Sequence, residues 1–166
     1  MTDSRPDVMD ALAGLVPGSA LFALRRQRPE VVRHARGSDD ALFAPVDDGG
    51  LARAERAAAA LRIAILLRDA ALCTHYRGRL AALDPDGGLA TKVEAGAASD
   101  HRLAVILAHV ERVTTAPDTA TRADLDGLAA AGLAPHAIVS LSQVIAYVNF
   151  QSRVLAGLRM LQGEAQ

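Results

Sequence analysis

The stretch ARAERAAAALRIAILLR, residues 52 to 68, narrows the fold more than any other feature of this chain. Alanine and leucine are the strongest helix formers, so the run favours a helix on intrinsic grounds. Its second half is apolar almost all round, the pattern of a helix enclosed by others rather than laid on a surface. No stretch shows sustained period-two alternation with β-branched or aromatic residues, whereas caps and breakers recur at helical lengths. The expectation is an all-α fold with this helix at its centre.

Caps and breakers divide the rest. Pro6 suits the first turn of a short helix that stops before Pro17-Gly18, Ser19 caps ALFALRRQR, and Pro29 opens EVVRHAR as far as Gly37. After the loop PVDDGG comes the central helix. Asp69 then caps AALCTHYRGRLAAL, which ends at the turn DPDGG. A short helix at LATKVEAG follows, and Ser99 caps DHRLAVILAHVERVTT, where Leu103, Ile106, Leu107 and Val110 form one apolar stripe ended by Pro117. Thr121, with Asp124 three residues on, opens RADLDGLAAAG. Pro135 opens the last helix, which runs to about Leu161 and leaves QGEAQ as a frayed end.

The 166 residues are enough for one domain with a proper core, and no shift of composition argues for two. Residues 1–50 read as an N-terminal helical arm of the same domain, and 51–166 as the helical domain proper. Half of the chain is apolar, yet only 3% is aromatic, with no tryptophan, so small side chains must pack helices closely. The formal net charge of −1 provides no global field for nucleic acid or anionic lipid. The one basic cluster, Arg25, Arg26, Arg28, Arg33 and Arg36, reads as a solvated helix face, diluted by Glu30 and followed by Asp39 and Asp40.

The longest uncharged stretch, Gly127 to Ser152, contains Pro135, His136, Gln143 and Asn149, and reads as a buried amphipathic helix rather than a membrane span. A single cysteine and the absence of a signal-like start point to a reduced, cytoplasmic setting. Metal ligation has no support: no His-x-x-x-His or Glu-x-x-His pair is present, and His34, His101, His109 and His136 are scattered. The DGG turns lack the pattern of a phosphate loop, and no Gly-x-Ser-x-Gly elbow occurs, so no cofactor is expected.

The chemistry-bearing segment is RDAALCTHYRGRLAAL, where Cys73 stands two residues before His75. A lone cysteine in an alanine-rich helix is a small hydrophobe by default, although a helix start and nearby arginines favour a thiolate. An imidazole suits proton transfer near neutral pH, and Tyr76 could donate a hydrogen bond in the same cavity.

Residues 101 to about 158 contain a helix ending VT..P, then T..D...L...GL....I, then a long helix with YVNF..R. This order resembles the C-terminal half of alkylhydroperoxidase D-like and peroxidase-related proteins of the carboxymuconolactone decarboxylase superfamily. LARAERAAAALRIAILLRDAALCTHYRGRL resembles that superfamily's signature helix pair, including H-x-R-x-x-L at His75, Arg77 and Leu80. The resemblance implies a multi-helical orthogonal bundle that assembles as a homo-oligomer, a dimer, trimer or hexamer.

Active members of that group carry a glutamate, then Cys-x-x-Cys, then a histidine. One thiolate attacks the peroxide, the sulfenic acid condenses with the second thiol, and the Glu/His relay moves protons. With His75 on the family histidine, the cysteine positions fall on Arg68 and Ala71 and the glutamate position on Arg56, one residue after Glu55. A second register places Cys73-Thr74-His75-Tyr76 on a Cys-x-His-Cys motif, with a tyrosine where the resolving cysteine belongs. In either register one cysteine cannot close an intramolecular disulfide cycle.

Three functions remain open on the sequence. The first is a degenerate or auxiliary antioxidant-family protein, beside an active paralogue. The second is an acid–base enzyme of the decarboxylase type using His75 with Glu55 or Tyr76, on a small organic acid or lactone held by Arg56, Arg68 or Arg77. The third is a one-cysteine hydroperoxide reductase through Cys73, dependent on an external thiol reductant.

Overall fold

A computed structural model describes residues 7–163. Among these the chain forms nine α-helices and no strand: α1 (Val8–Leu12), α2 (Ala20–Arg25), α3 (Pro29–Phe43), α4 (Arg53–Leu66), α5 (Ala70–Leu83), α6 (Gly88–Glu94), α7 (His101–Thr115), α8 (Arg122–Ala130) and α9 (Pro135–Leu161). A single 3₁₀ turn, Pro117–Thr119, links α7 to α8.

The central helix is α4. Ala57 to Leu61, Ile63 and Ala64 are all sealed from solvent, and α4 packs against α3, α5, α6, α7 and α9. Its run of alanines lets those neighbours approach closely, so the few large side chains carry the apolar burial. Leu61 is fully buried, and truncating it to alanine should cost about 2–5 kcal/mol. The stripe Leu103, Ile106, Leu107 and Val110 on α7 is buried as its spacing requires. Along α9, Leu141, Val144, Val148, Gln151 and Leu155 form the inward face, with one polar residue among four aliphatic ones.

Most caps are those the sequence indicates. Ser19 Oγ accepts from the Phe22 N–H, Asp69 caps α5, Asp124 reaches back to the Thr121 N–H, and Pro29 and Pro135 open their helices. Three boundaries differ. Asp100, not Ser99, caps α7: its Oδ1 accepts from the Leu103 N–H, while the Ser99 hydroxyl donates to its other oxygen. α3 does not stop at Gly37 but continues to Phe43, because Asp39, Leu42 and Phe43 are all buried and offset the weak helix propensity of one glycine. α1 starts at Val8 under an Asp7–Asp10 capping box. Pro6 lies outside the described residues, as do the last three residues of the C-terminal tail.

The basic cluster also departs from expectation. Arg25 and Arg26 do not form a solvated face; they hold α2 to α1. Arg25 Nη1 lies 2.9 Å from Asp7 Oδ1 and also reaches Asp10, and Arg26 Nη2 lies 2.6 Å from Asp10 Oδ2. Burial alone would raise the Asp10 pKa, but Arg26, the Asp7 N–H and Arg25 together hold it below the ordinary carboxylate value. Sequence spacing gave no hint, since the partners are more than a dozen residues apart.

In the PVDDGG loop, Gly49 and Gly50 adopt positive φ of 57° and 75° beneath the His136 ring, which places Leu51 in the core. Among the described residues no single helix is long and apolar enough to cross a membrane, and the one apolar pair, α8 with α9, is bent by 119°.

Candidate functional site

The α4–α5 corner sets the orientation of everything that follows it. Leu67 closes α4, Arg68 takes a left-handed φ of 56°, and the Asp69 N–H bonds back to the Ala64 carbonyl at 3.1 Å. Asp69 then accepts from the Ala71 and Leu72 N–H groups and receives Arg159 of α9 as a bidentate partner at 3.0 and 3.1 Å. Burial opposes its ionisation, yet Arg159 and the two amides hold its pKa below the ordinary value. The start of α5 is therefore locked to the end of α9.

From this fixed start, a rotation of about 100° per residue points side chains two apart to nearly opposite flanks. Cys73 and His75 obey it. Cys73 is half-buried on the flank with Asp69, Arg77 and Glu94, near α6, where Arg77 is paired with Glu94. Burial pushes its thiol pKa up; the charge of Arg77 opposes this, and those of Asp69 and Glu94 add to it. This is an unactivated thiol.

His75 faces α3. Burial, then the charge of Arg79, lowers its pKa from the ordinary 6.5, with Asp39 opposing, so the ring is neutral near pH 7. Its edge meets the Tyr76 ring at 4.9 Å between centroids, and Nε2 is buried without a hydrogen-bond partner. Tyr76 is fully buried and donates its hydroxyl to Gln151 Oε1 of α9 at 2.5 Å. Burial, with Asp39 beside it, raises the phenol well above its usual range.

Around these two residues α3, α5 and α9 assemble a polar and aromatic layer. Arg79 pairs with buried Asp39 and lies 4.7 Å over the Phe43 ring. Phe43 in turn packs on Tyr76 at 5.2 Å and on Tyr147 at 6.3 Å, and the Tyr147 hydroxyl donates to the Ala35 carbonyl at 3.2 Å. Asp39 Oδ1 and Gln151 Nε2 are, like His75 Nε2, buried and unpartnered. Buried polar atoms are ordinarily satisfied, so three orphans in one layer mark a place suited to water or a ligand. A cleft of about 250 Å³ opens beside it, lined by Asp39, Phe43, Arg53, Ala57, Arg79 and Leu83.

Glu55 does not join this layer. Its carboxylate accepts from Arg102 Nε at 2.6 Å and from the Ala52 N–H at 2.8 Å, tying the start of α4 to α7. Arg56 is buried and donates to the carbonyls of Leu51, Asp48 and Leu42, so it holds the loop before α4. Arg68 is exposed, and Arg77 is engaged by Glu94. Of the expected site residues, the fold brings together His75 and Tyr76 and turns Cys73 and Glu55 to other faces.

The residues that sequence reasoning missed are Asp39, Arg79, Tyr147 and Gln151. Two signals were present. Tyr147 and Gln151 are one turn apart on an otherwise apolar helix, and a glutamine amid aliphatic residues has to find a buried partner. Asp39 offers none, because its neighbour Asp40 is exposed and the pair reads as solvated charge. No group of three His, Cys, Asp or Glu side chains that could hold a metal occurs among the described residues.

No protein-family model matches the chain, and no curated protein matches it either. Solved structures do. An uncharacterized peroxidase-related protein from Silicibacter sp. TM1040 superposes with a TM-score of 0.74 at 19% identity, over 91% of this chain and 78% of its own. The alkylhydroperoxidase AhpD core of an uncharacterized peroxidase-related protein from Ralstonia eutropha JMP134 gives 0.73 at 20% identity, over 95% and 86%. The all-helical arrangement built round α4 and α5 is thus the fold of the alkylhydroperoxidase D-like and peroxidase-related proteins that the sequence resembles.

Proposed function

We propose that this chain is a redox-silent protein of the alkylhydroperoxidase-like fold, an auxiliary relative of the thiol peroxidases with no peroxide cycle of its own. The observation that carries this reading is the divergence of Cys73 and His75 across α5. Thiol peroxidase chemistry needs a thiolate, a proton relay within reach of it, and a second thiol to resolve the sulfenic acid. Here the thiol is held protonated by burial, the histidine faces away, and the chain has no second cysteine. The protein in this reading works as a homo-oligomer in the cytoplasm, beside an active paralogue.

The test is hydrogen peroxide consumption by the purified protein with dithiothreitol, beside Cys73→Ser and His75→Ala. The expected result is a rate for the native chain equal to that of Cys73→Ser. A rate lost on Cys73→Ser overturns the proposal and makes Cys73 a one-cysteine peroxidase site.

One observation favours a second reading, acid–base chemistry at His75. A neutral imidazole with a free buried nitrogen, beside the Asp39–Arg79 pair, has the makings of a general base with an anion partner. Its signature would be a saturable shift of the His75 imidazole resonances on adding a small lactone or its acid, lost in Arg79→Gln. Absence of any such shift removes this reading.

A further inference from the structure

A cleft of about 260 Å³ lies between the C-terminal half of α7 and the middle of α9. We propose that this cleft binds a small organic carboxylate, at a site separate from the His75 layer. The argument starts with His109. It is 8% exposed, it lines the cleft, and its Nδ1 is buried with no hydrogen-bond partner. Thr114 Oγ1, five residues along the same helix, lines the same cleft and is also buried and unpartnered. A hydroxyl on a helix usually bonds a carbonyl one turn back, as Thr115 does to Glu111. Thr114 does not, and the two residues with such atoms line one cleft, where a polar ligand would satisfy them.

Charge selects the ligand class. Among the described residues the lining has one full charge, Arg153, and no carboxylate. Arg153 Nη1 donates to the backbone and side-chain oxygens of Asn149, which fixes the guanidinium at the rim, and among the described residues Arg153 makes no ion pair. The acid that acts on His109, Asp124, is already paired with Arg112 at 2.9 Å. Ser142 and Asn149 already donate to the Ile138 and Ile145 carbonyls, so what the cleft offers is a cation without an acid partner, the Thr114 hydroxyl and the His109 ring, a set that suits a small anion. Val113 and Ile145 supply an apolar wall, so the anion carries a short hydrocarbon part. The volume lies below the roughly 300–1,000 Å³ of drug-sized sites, which limits it to a small metabolite.

The experiment titrates ¹⁵N-labelled full-length protein with butyrate and 3-hydroxybutyrate, with n-butanol as the uncharged control. Saturable shifts of the His109 imidazole and the Asn149 amide with the acids, absent with butanol, are expected. Arg153→Gln should weaken binding about tenfold, since a hydrogen bond to a charged group contributes about that much. Thr114→Val should weaken it too while leaving the thermal midpoint unchanged or higher, which separates ligand contact from a structural role. Equal shifts with butanol, or no saturable shift, overturn the proposal. So does broadening of the same resonances with protein concentration alone, because a second copy of the chain would then cover the cleft.

Discussion

The two flanks of α5 differ in kind. On the α6 flank Cys73 sits among an ordinary surface ion pair and helix-end residues, its thiol disfavoured from ionising by burial. On the α3 flank the same helix presents His75, Tyr76 and Arg79 to a layer of buried aromatic and polar groups, three of whose atoms lack partners. Two residues of separation look like a motif in the sequence, but on a helix they mean opposite faces. The buried layer of aromatic rings and unpartnered polar atoms lies on one flank, and it is not the flank with the sulfur.

The largest effect should come from removing the charge that anchors the α3 flank. Asp39→Ala leaves Arg79 without its carboxylate at the edge of the core, and a loss of about 2–3 kcal/mol in urea unfolding is expected. A change below 0.5 kcal/mol would mean the layer is not a structural unit, on the scale of exposed pairs. Next, Tyr76→Phe should cost about 1–2 kcal/mol by leaving Gln151 Oε1 unsatisfied, and Gln151→Leu in the same chain should recover part of that. Additive losses would show that the two do not act through their bond.

A third, smaller effect concerns pH. His75 and His109 both have pKa values below the ordinary 6.5, chiefly through burial. The unfolded chain then binds more protons than the folded one as pH falls below about 6.5, so stability declines on acidification until the folded values are passed. Urea midpoints between pH 7.5 and 5 should fall, and His75→Gln should flatten the fall. An unchanged slope would place the titration elsewhere. Smallest, Arg68→Gly should raise stability by about 0.5–1 kcal/mol by relieving the left-handed φ at the corner, leaving both flanks as they are. A loss instead would assign Arg68 a contact that matters more than its backbone.

Much of the fold was legible in residue patterns. The alanine-rich helix announced itself as the core by being apolar all round, and Asp69, Ser19, Thr121 and Pro135 marked their helix starts by local chemistry. These signals work within one helical turn. The candidate site is assembled instead from α3, α5 and α9, by contacts such as Tyr76 to Gln151, which are 75 residues apart, and Arg79 to Asp39, 40 apart. No local rule reports such pairs. The same limit explains Arg25 and Arg26, whose acidic partners in α1 turn a nominally solvated cluster into an interhelical clamp, and Glu55, which Arg102 draws toward α7. Resemblance to a family directed attention to residues of α5 but could not say which of its faces their side chains take.

The separation of the two flanks is tested most directly by the pH dependence of Cys73 alkylation by iodoacetamide in the native protein and in His75→Ala. If Cys73 is an unactivated thiol remote from His75, the rate should rise with a midpoint above that of an ordinary cysteine thiol and be the same in both proteins. A midpoint well below that value, moved upward by His75→Ala, would show an imidazole-stabilised thiolate and contradict the account.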